Sequence, residues 1–222
     1  MFTLQILSSI YSAYTETDSH ILTTTARTEL DSHANMVVIG QQSVIFDVTG
    51  LTCTVNAFTE SAGKLEKVPI VDAAVAYDCP YLAKTFVLLF RNVLHIPEIR
   101  HNLLPPFIVR EAGHVLDECP KFQSSSPTVA NHSLYCPEAE LRIHFGLINT
   151  FSFFNTRKPT KSELESCDKI FLTPDSTSWN PHSNNFSRNE EAMLNVDGEI
   201  TQCESRDPEL VERDEVMYDK LP

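Results

Sequence analysis

The residues of this chain with the clearest capacity for chemistry are Asp31, Ser32, His33 and Ala34, inside the string Glu29 to Gly40, ELDSHANMVVIG. A turn aspartate followed by a hydroxyl residue has two readings. It caps its own backbone, or it presents a carboxylate for acid–base work. About sixty residues later a second string, Arg91 to Phe107, reads RNVLHIPEIRHNLLPPF. It is an apolar strand, a proline break, and an Asn-Leu-Leu step into a helix. Other chemistries find less support. The eight His are scattered, and His95 and His101 flank Pro97 with no acid or Cys to complete a ligand set, so no metal site is expected. No nucleophile elbow supports Ser-His-Asp catalysis, and no glycine loop could cradle a phosphate.

In their order and separation the two strings resemble the ends of a retroviral-type aspartic protease domain. The form is similar to the protease region of copia-type retrotransposon Gag-Pol polyproteins. The resemblance covers roughly residues 28 to 113. It implies a small, closed, retropepsin-like β-barrel and aspartic endopeptidase activity in polyprotein processing. Such a site holds two carboxylates across one water with one shared proton. This chain has a single Asp-Ser/Thr-x-Ala string, so the site would need a homodimer with one Asp31 from each chain. Ser32 would hydrogen-bond across the dimer, and Leu103 and Leu104 would pack under the Asp31 turn. Ser61, Ala62 and Gly63 are the candidate flap. No cofactor is implied.

The sequence departs from the pattern at two positions. His33 stands where the family has Gly, and Pro105 where it has Ser or Gly. Glycine allows close backbone approach. A cationic histidine would favour ionised Asp31 and oppose proton sharing. The rival expectation is therefore a catalytically inactive retroelement relic, kept as an interaction or dimerisation module. No zinc knuckle precedes the domain and no integrase or polymerase signature follows it, which reads as a fragment or remnant.

The elements that must position these residues are mostly strands. Met36 to Ile39, Ser43 to Phe46, Thr52 to Phe58, Val68 to Tyr77 and Thr85 to Leu94 are apolar or β-branched runs. Asp47 to Gly50, Glu60 to Lys64, and Asp78 to Pro80 read as the turns between them. Pro105 to Ala112 reads as the one short helix, with prolines in its first turn and Gly113 as its stop. Ser133 to Tyr135, Leu141 to Leu147 and Phe151 to Phe154 suggest a further hairpin. The expected organisation is a flexible lead-in over 1–24, the protease-like domain over 25–116, a β extension over 117–157, and a disordered acidic tail over 158–222. Residues 181–222 carry eleven acids against four bases.

The bulk properties narrow the partners. The chain has 222 residues, 42% of them hydrophobic, enough for one domain plus tails. A formal charge of −13 argues against gripping nucleic acid or an anionic membrane, leaving a peptide or polyprotein as the expected substrate. Six Cys without a Cys-x-x-Cys pair suggest reduced thiols and a cytoplasmic setting, with Cys53 and Cys79 as buried apolar residues. The Asn-x-Ser triplets at Asn131 and Asn185 carry no weight without a secretory route.

Overall fold

A computed structural model describes residues 3–6, 25–57, 63–174, 180–181 and 183–200. Its first unit runs to Pro181 and is mainly β, with few and short helices. In chain order its strands begin with β1 (Thr3–Ile6), β2 (Thr25–Leu30), β3 (Val38–Ile39), β4 (Val44–Ala57), β5 (Lys64–Cys79), β6 (Lys84–His95) and β7 (Asn102–Leu104). Helix α1 (Pro106–Glu111) follows, then β8 (Val115–Asp117), β9 (Ser133–Cys136), β10 (Leu141–His144), β11 (Gly146–Ile148) and β12 (Phe151–Arg157). Helix α2 (Lys161–Ser166) and β13 (Asp168–Phe171) complete it. No described helix is long and apolar enough to cross a membrane.

The central strands are β5 and β6, paired antiparallel. Both read as near-continuous apolar runs because both of their faces are covered. Val71, Ala73, Val75, Phe86, Leu88 and Phe90 point into the main core. Ala74, Val87 and Leu89 point the other way and meet Leu164 of α2 and Phe171 of β13. A third cluster joins Met36 and Val38 to Val68, Ile70, Ile96 and Leu103.

The pairing around β7 decides where the candidate loop sits. β7 runs parallel to β2, with Glu29 opposite Leu103 and Leu30 opposite Leu104. On its other side it pairs antiparallel with β3, Val38 opposite Leu103. β3 in turn pairs parallel with β6. β2 and β3 are consecutive in sequence yet separated by β7, so residues 31–37 must cross over the end of β7.

The expected helix is present as Pro106–Glu111, with Pro105 as its N-cap and Gly113 at φ +81 just beyond its end. Three expectations need correction. The turn over Asp47 to Gly50 does not end a strand. β4 runs through it as register irregularities near 45–47 and 48–52, because β5 continues opposite and the ladder resumes. The run Leu141 to Leu147 divides at Phe145. β10 joins β8 and β9 in a separate three-stranded sheet, while β11 pairs with β12 in the main one. Residues 158–174 are ordered, not part of a disordered tail. α2 is fixed by a capping box between Thr160 and Glu163, and β13 pairs parallel with β6. The cause is burial: without this stretch the outer face of β5 and β6 would be bare.

β12 also lies within the main sheet, antiparallel to β2 and bridged to β5 at Arg157 and Ala76. Apart from β1, paired parallel with β4, the expected lead-in lies outside the described residues, as do residues 201–222 of the tail. The second unit, from His182, contains α3 (Asn185–Glu191) and an isolated bridge between Leu194 and Ile200.

Candidate active site

The loop after β2 is anchored at its first residue. The Asp31 amide donates to the Leu104 carbonyl at 3.1 Å, continuing the β2–β7 ladder by one bond. Leu103 and Leu104 point to opposite sides, Leu103 into the cluster with Met36 and Val38, Leu104 into the main core. Leu104 is joined to the start of the loop through Asp31, and Leu103 pairs with Val38 just past its end. Ala34 is buried, while Ser32 and His33 are exposed.

Within the loop, Asp31 Oδ1 accepts from the His33 amide at 2.9 Å and the Ala34 amide at 3.3 Å. These bonds make Asp31 a cap of its own turn. The second oxygen, Oδ2, is buried and has no hydrogen-bond partner among the described residues. Capping does not account for it. A buried acceptor left unpaired costs about 1–3 kcal/mol.

His33 fits the loop without glycine's freedom. The described non-glycine residues with positive φ are all elsewhere. The bond to Oδ1 uses the backbone N–H, which any residue except proline supplies. The His33 ring lies at the surface, with Nδ1 3.4 Å from Ser32 Oγ. Pro105 is equally compatible, since it is buried at the start of α1.

Beneath the loop is a polar network that the sequence did not reveal. Asn102 Nδ2 donates to Thr28 Oγ1 at 3.1 Å and to Thr156 Oγ1 at 3.4 Å, and the two hydroxyls are 3.0 Å apart. Asn102 Oδ1 accepts from the Gly40 amide at 3.0 Å. All three side chains are buried. They tie β2, β7, β12 and the end of β3 together. Gly40 has no room for a side chain: a Cβ there would lie 2.4 Å from the Ile99 carbonyl oxygen. Asn102 was visible in the second string. Thr28 and Thr156 look like ordinary β-branched strand residues.

Beside Asp31 is an open cleft of about 600 Å³. Glu29, Asp31 and His33 line one side of it. Glu29 is two residues before Asp31, so the strand's period of two brings both to the same side. Its carboxylate is 3.4 Å from Arg27 Nε and its side chain only 13% exposed. Burial pushes its pKa up, Arg27 opposes the rise and Asp31 adds to it. Arg27 also donates to His101 Nε2 at 2.7 Å. Burial, then Arg27 and Arg100, pushes His101 down to about 4.

The opposite wall comes from residues outside the resemblance. Glu118 and Phe122 belong to the β8–β9 connection, and Leu147 and Phe151 to the β11–β12 hairpin. No sequence signal linked these positions to Asp31. For the candidate flap, Ser61 and Ala62 lie outside the described residues. Gly63 is described, at φ +85, where β5 begins opposite Asn56 of β4. Among the described residues no group of three or more His, Cys, Asp or Glu is placed to hold a metal, and the cysteines are free thiols. Cys53 and Cys79 are buried. Comparison with protein-family models, curated proteins and solved structures gives no match.

Proposed function

We propose that the chain is a retropepsin-like aspartic endopeptidase domain of copia-type retrotransposon origin. It acts as a homodimer on a peptide or polyprotein. The observation that carries this reading is the divided role of Asp31. One carboxylate oxygen fixes the loop, while the other is buried with nothing to bond. The unpaired oxygen is closed off by this chain's own atoms, so a second Asp31 and a water across a two-fold axis would supply the missing donors only with a shift of the loop on dimerisation. The fold adds support. The pairing path from β5 through β12, β2, β7, β3 and β6 returns to β5, as a small closed barrel requires.

In this mechanism the two carboxyls hold one proton between them, because close like charges cannot both ionise. The ionised Asp31 takes a proton from the water as the water oxygen attacks the peptide carbonyl carbon. The protonated Asp31 hydrogen-bonds the carbonyl oxygen as negative charge develops there. On collapse the C–N bond breaks, and the leaving nitrogen takes up the proton drawn from the water. Asn102, Thr28 and Thr156 position the loop without touching substrate.

The rival reading, an inactive dimerising relic, draws on His33, which stands where the family has Gly and whose ring lies against the Ser32 hydroxyl. One assay separates the two: cleavage of a peptide mixture by the full chain, wild type against Asp31→Asn, over a range of protein concentrations. The peptidase reading requires cleavage whose specific rate rises with concentration and is lost in the variant. A dimeric, folded wild type that cleaves nothing supports the relic.

A further inference from the structure

We infer that Phe122 and Leu147 form a substrate subsite that selects a large apolar residue next to the bond cut at Asp31. The inference rests on the peptidase reading, and it assigns specificity to a segment outside the protease-like region. Phe122 is 77% exposed and Leu147 is also exposed, so neither is held in place by the core. One exposed apolar residue needs no explanation. Here, however, Phe122, Leu147 and the half-buried Phe151 converge on a single cleft that also holds Asp31.

The wall is braced. The connection carrying Phe122 is held by Lys121 Nζ donating to the Asn131 carbonyl at 2.6 Å and by Asn131 Nδ2 donating to Asp117 at 2.8 Å. A preformed apolar surface beside a few placed polar groups is the usual make-up of a ligand site. The charges of the lining set a second rule. Of the lining acids, Glu29 is paired with Arg27 and Glu118 with Arg110, which leaves Asp31 to oppose a substrate acid there.

The test uses peptides identical except for the residue beside the cleaved bond, which is Phe, Leu, Ala or Glu. The full chain should cleave the Phe and Leu peptides about 10-fold faster in kcat/KM than the Ala peptide, and the Glu peptide slowest. Phe122→Ala should collapse the Phe-to-Ala ratio toward one, chiefly through KM. Phe122→Leu should restore most of it. Phe122 is too exposed for these changes to threaten folding. An unchanged ratio in Phe122→Ala overturns the subsite while leaving the peptidase intact.

A binding arm removes the dependence on chemistry. The Asp31→Asn chain, titrated by fluorescence anisotropy with the labelled peptides, should bind the Phe peptide about 10-fold more tightly than the Ala peptide, and only with Phe122 present. Such binding by a chain whose wild type is inert sinks the peptidase reading and keeps the subsite. Equal binding of both peptides sinks the subsite.

Discussion

Asp31 caps its own turn with one carboxylate oxygen and leaves the other unpaired. Its Oδ1 closes the turn, so Asp31→Asn, which keeps that oxygen, should leave the fold unchanged by circular dichroism and remove peptide cleavage. His33 is the residue where the sequence suggested a defect. The loop's backbone does not demand glycine there, so histidine carries no conformational cost. His33→Gly should therefore keep the loop's path and, by removing a ring from the cleft lining beside Asp31, raise cleavage. It should also lower stability by about 0.5–1 kcal/mol, since glycine loses more backbone freedom on folding. A denaturation midpoint and a cleavage rate read both effects. At this scale the sequence was legible where the pattern is local: a turn at Asp31 capped by its own side chain, and apolar Leu103 and Leu104 buried in the strand that follows Pro97. It was silent where partners meet across the sheet. Thr156 reaches Asn102 from 54 positions away, and nothing in its neighbours marks it.

The strands and helices make their own predictions. Asn102→Ala would strand the Gly40 amide and leave the two hydroxyls bonded only to each other, at a cost of about 1–3 kcal/mol, and should weaken cleavage through the loop above. Residues 158–174 cover the outer face of β5 and β6, so limited proteolysis should leave a resistant fragment that extends past Phe171. Cutting near residue 158 would show that α2 and β13 are not held. Helix α2 had a readable signature, Thr160 and Glu163 at capping-box spacing, but the acidic composition that follows masked it.

Acid stability belongs to the same scale. His101, pushed down to about 4, is neutral when folded, so the unfolded chain takes its proton first. Its contribution is full above about pH 6.5 and is lost as pH falls toward 4. Glu163 is held at about 2, first by Arg157 and then by Thr160. Its contribution is present above the ordinary carboxylate range and is lost as pH falls toward about 2. Glu29 works the other way, because its raised carboxyl costs stability once ionised. Urea midpoints against pH should therefore decline in two stages on the acid side, and His101→Gln should shrink the upper one, which His95, His114, His132 and His144, also pushed down by burial, share.

At the scale of the molecule, the sequence indicated a β-rich domain, and that is present; of its helices it showed α1 and missed α2 and α3. The strand order was not readable, because consecutive strands β2 and β3 are separated by a strand from much later in the chain. Nor was the use of the 117–157 segment, which inserts β12 beside β2 and walls the cleft. Both depend on pairings between distant residues that leave no local pattern. The central claim, one site built from two Asp31 residues, is tested most directly by mixing wild-type and Asp31→Asn chains at constant total concentration. If the site needs both carboxylates, mixed dimers are inactive and activity falls with the square of the wild-type fraction. An equal mixture then retains about one quarter of the activity. Retention of about one half, linear in the wild-type fraction, would mean that each chain works alone and would contradict the account.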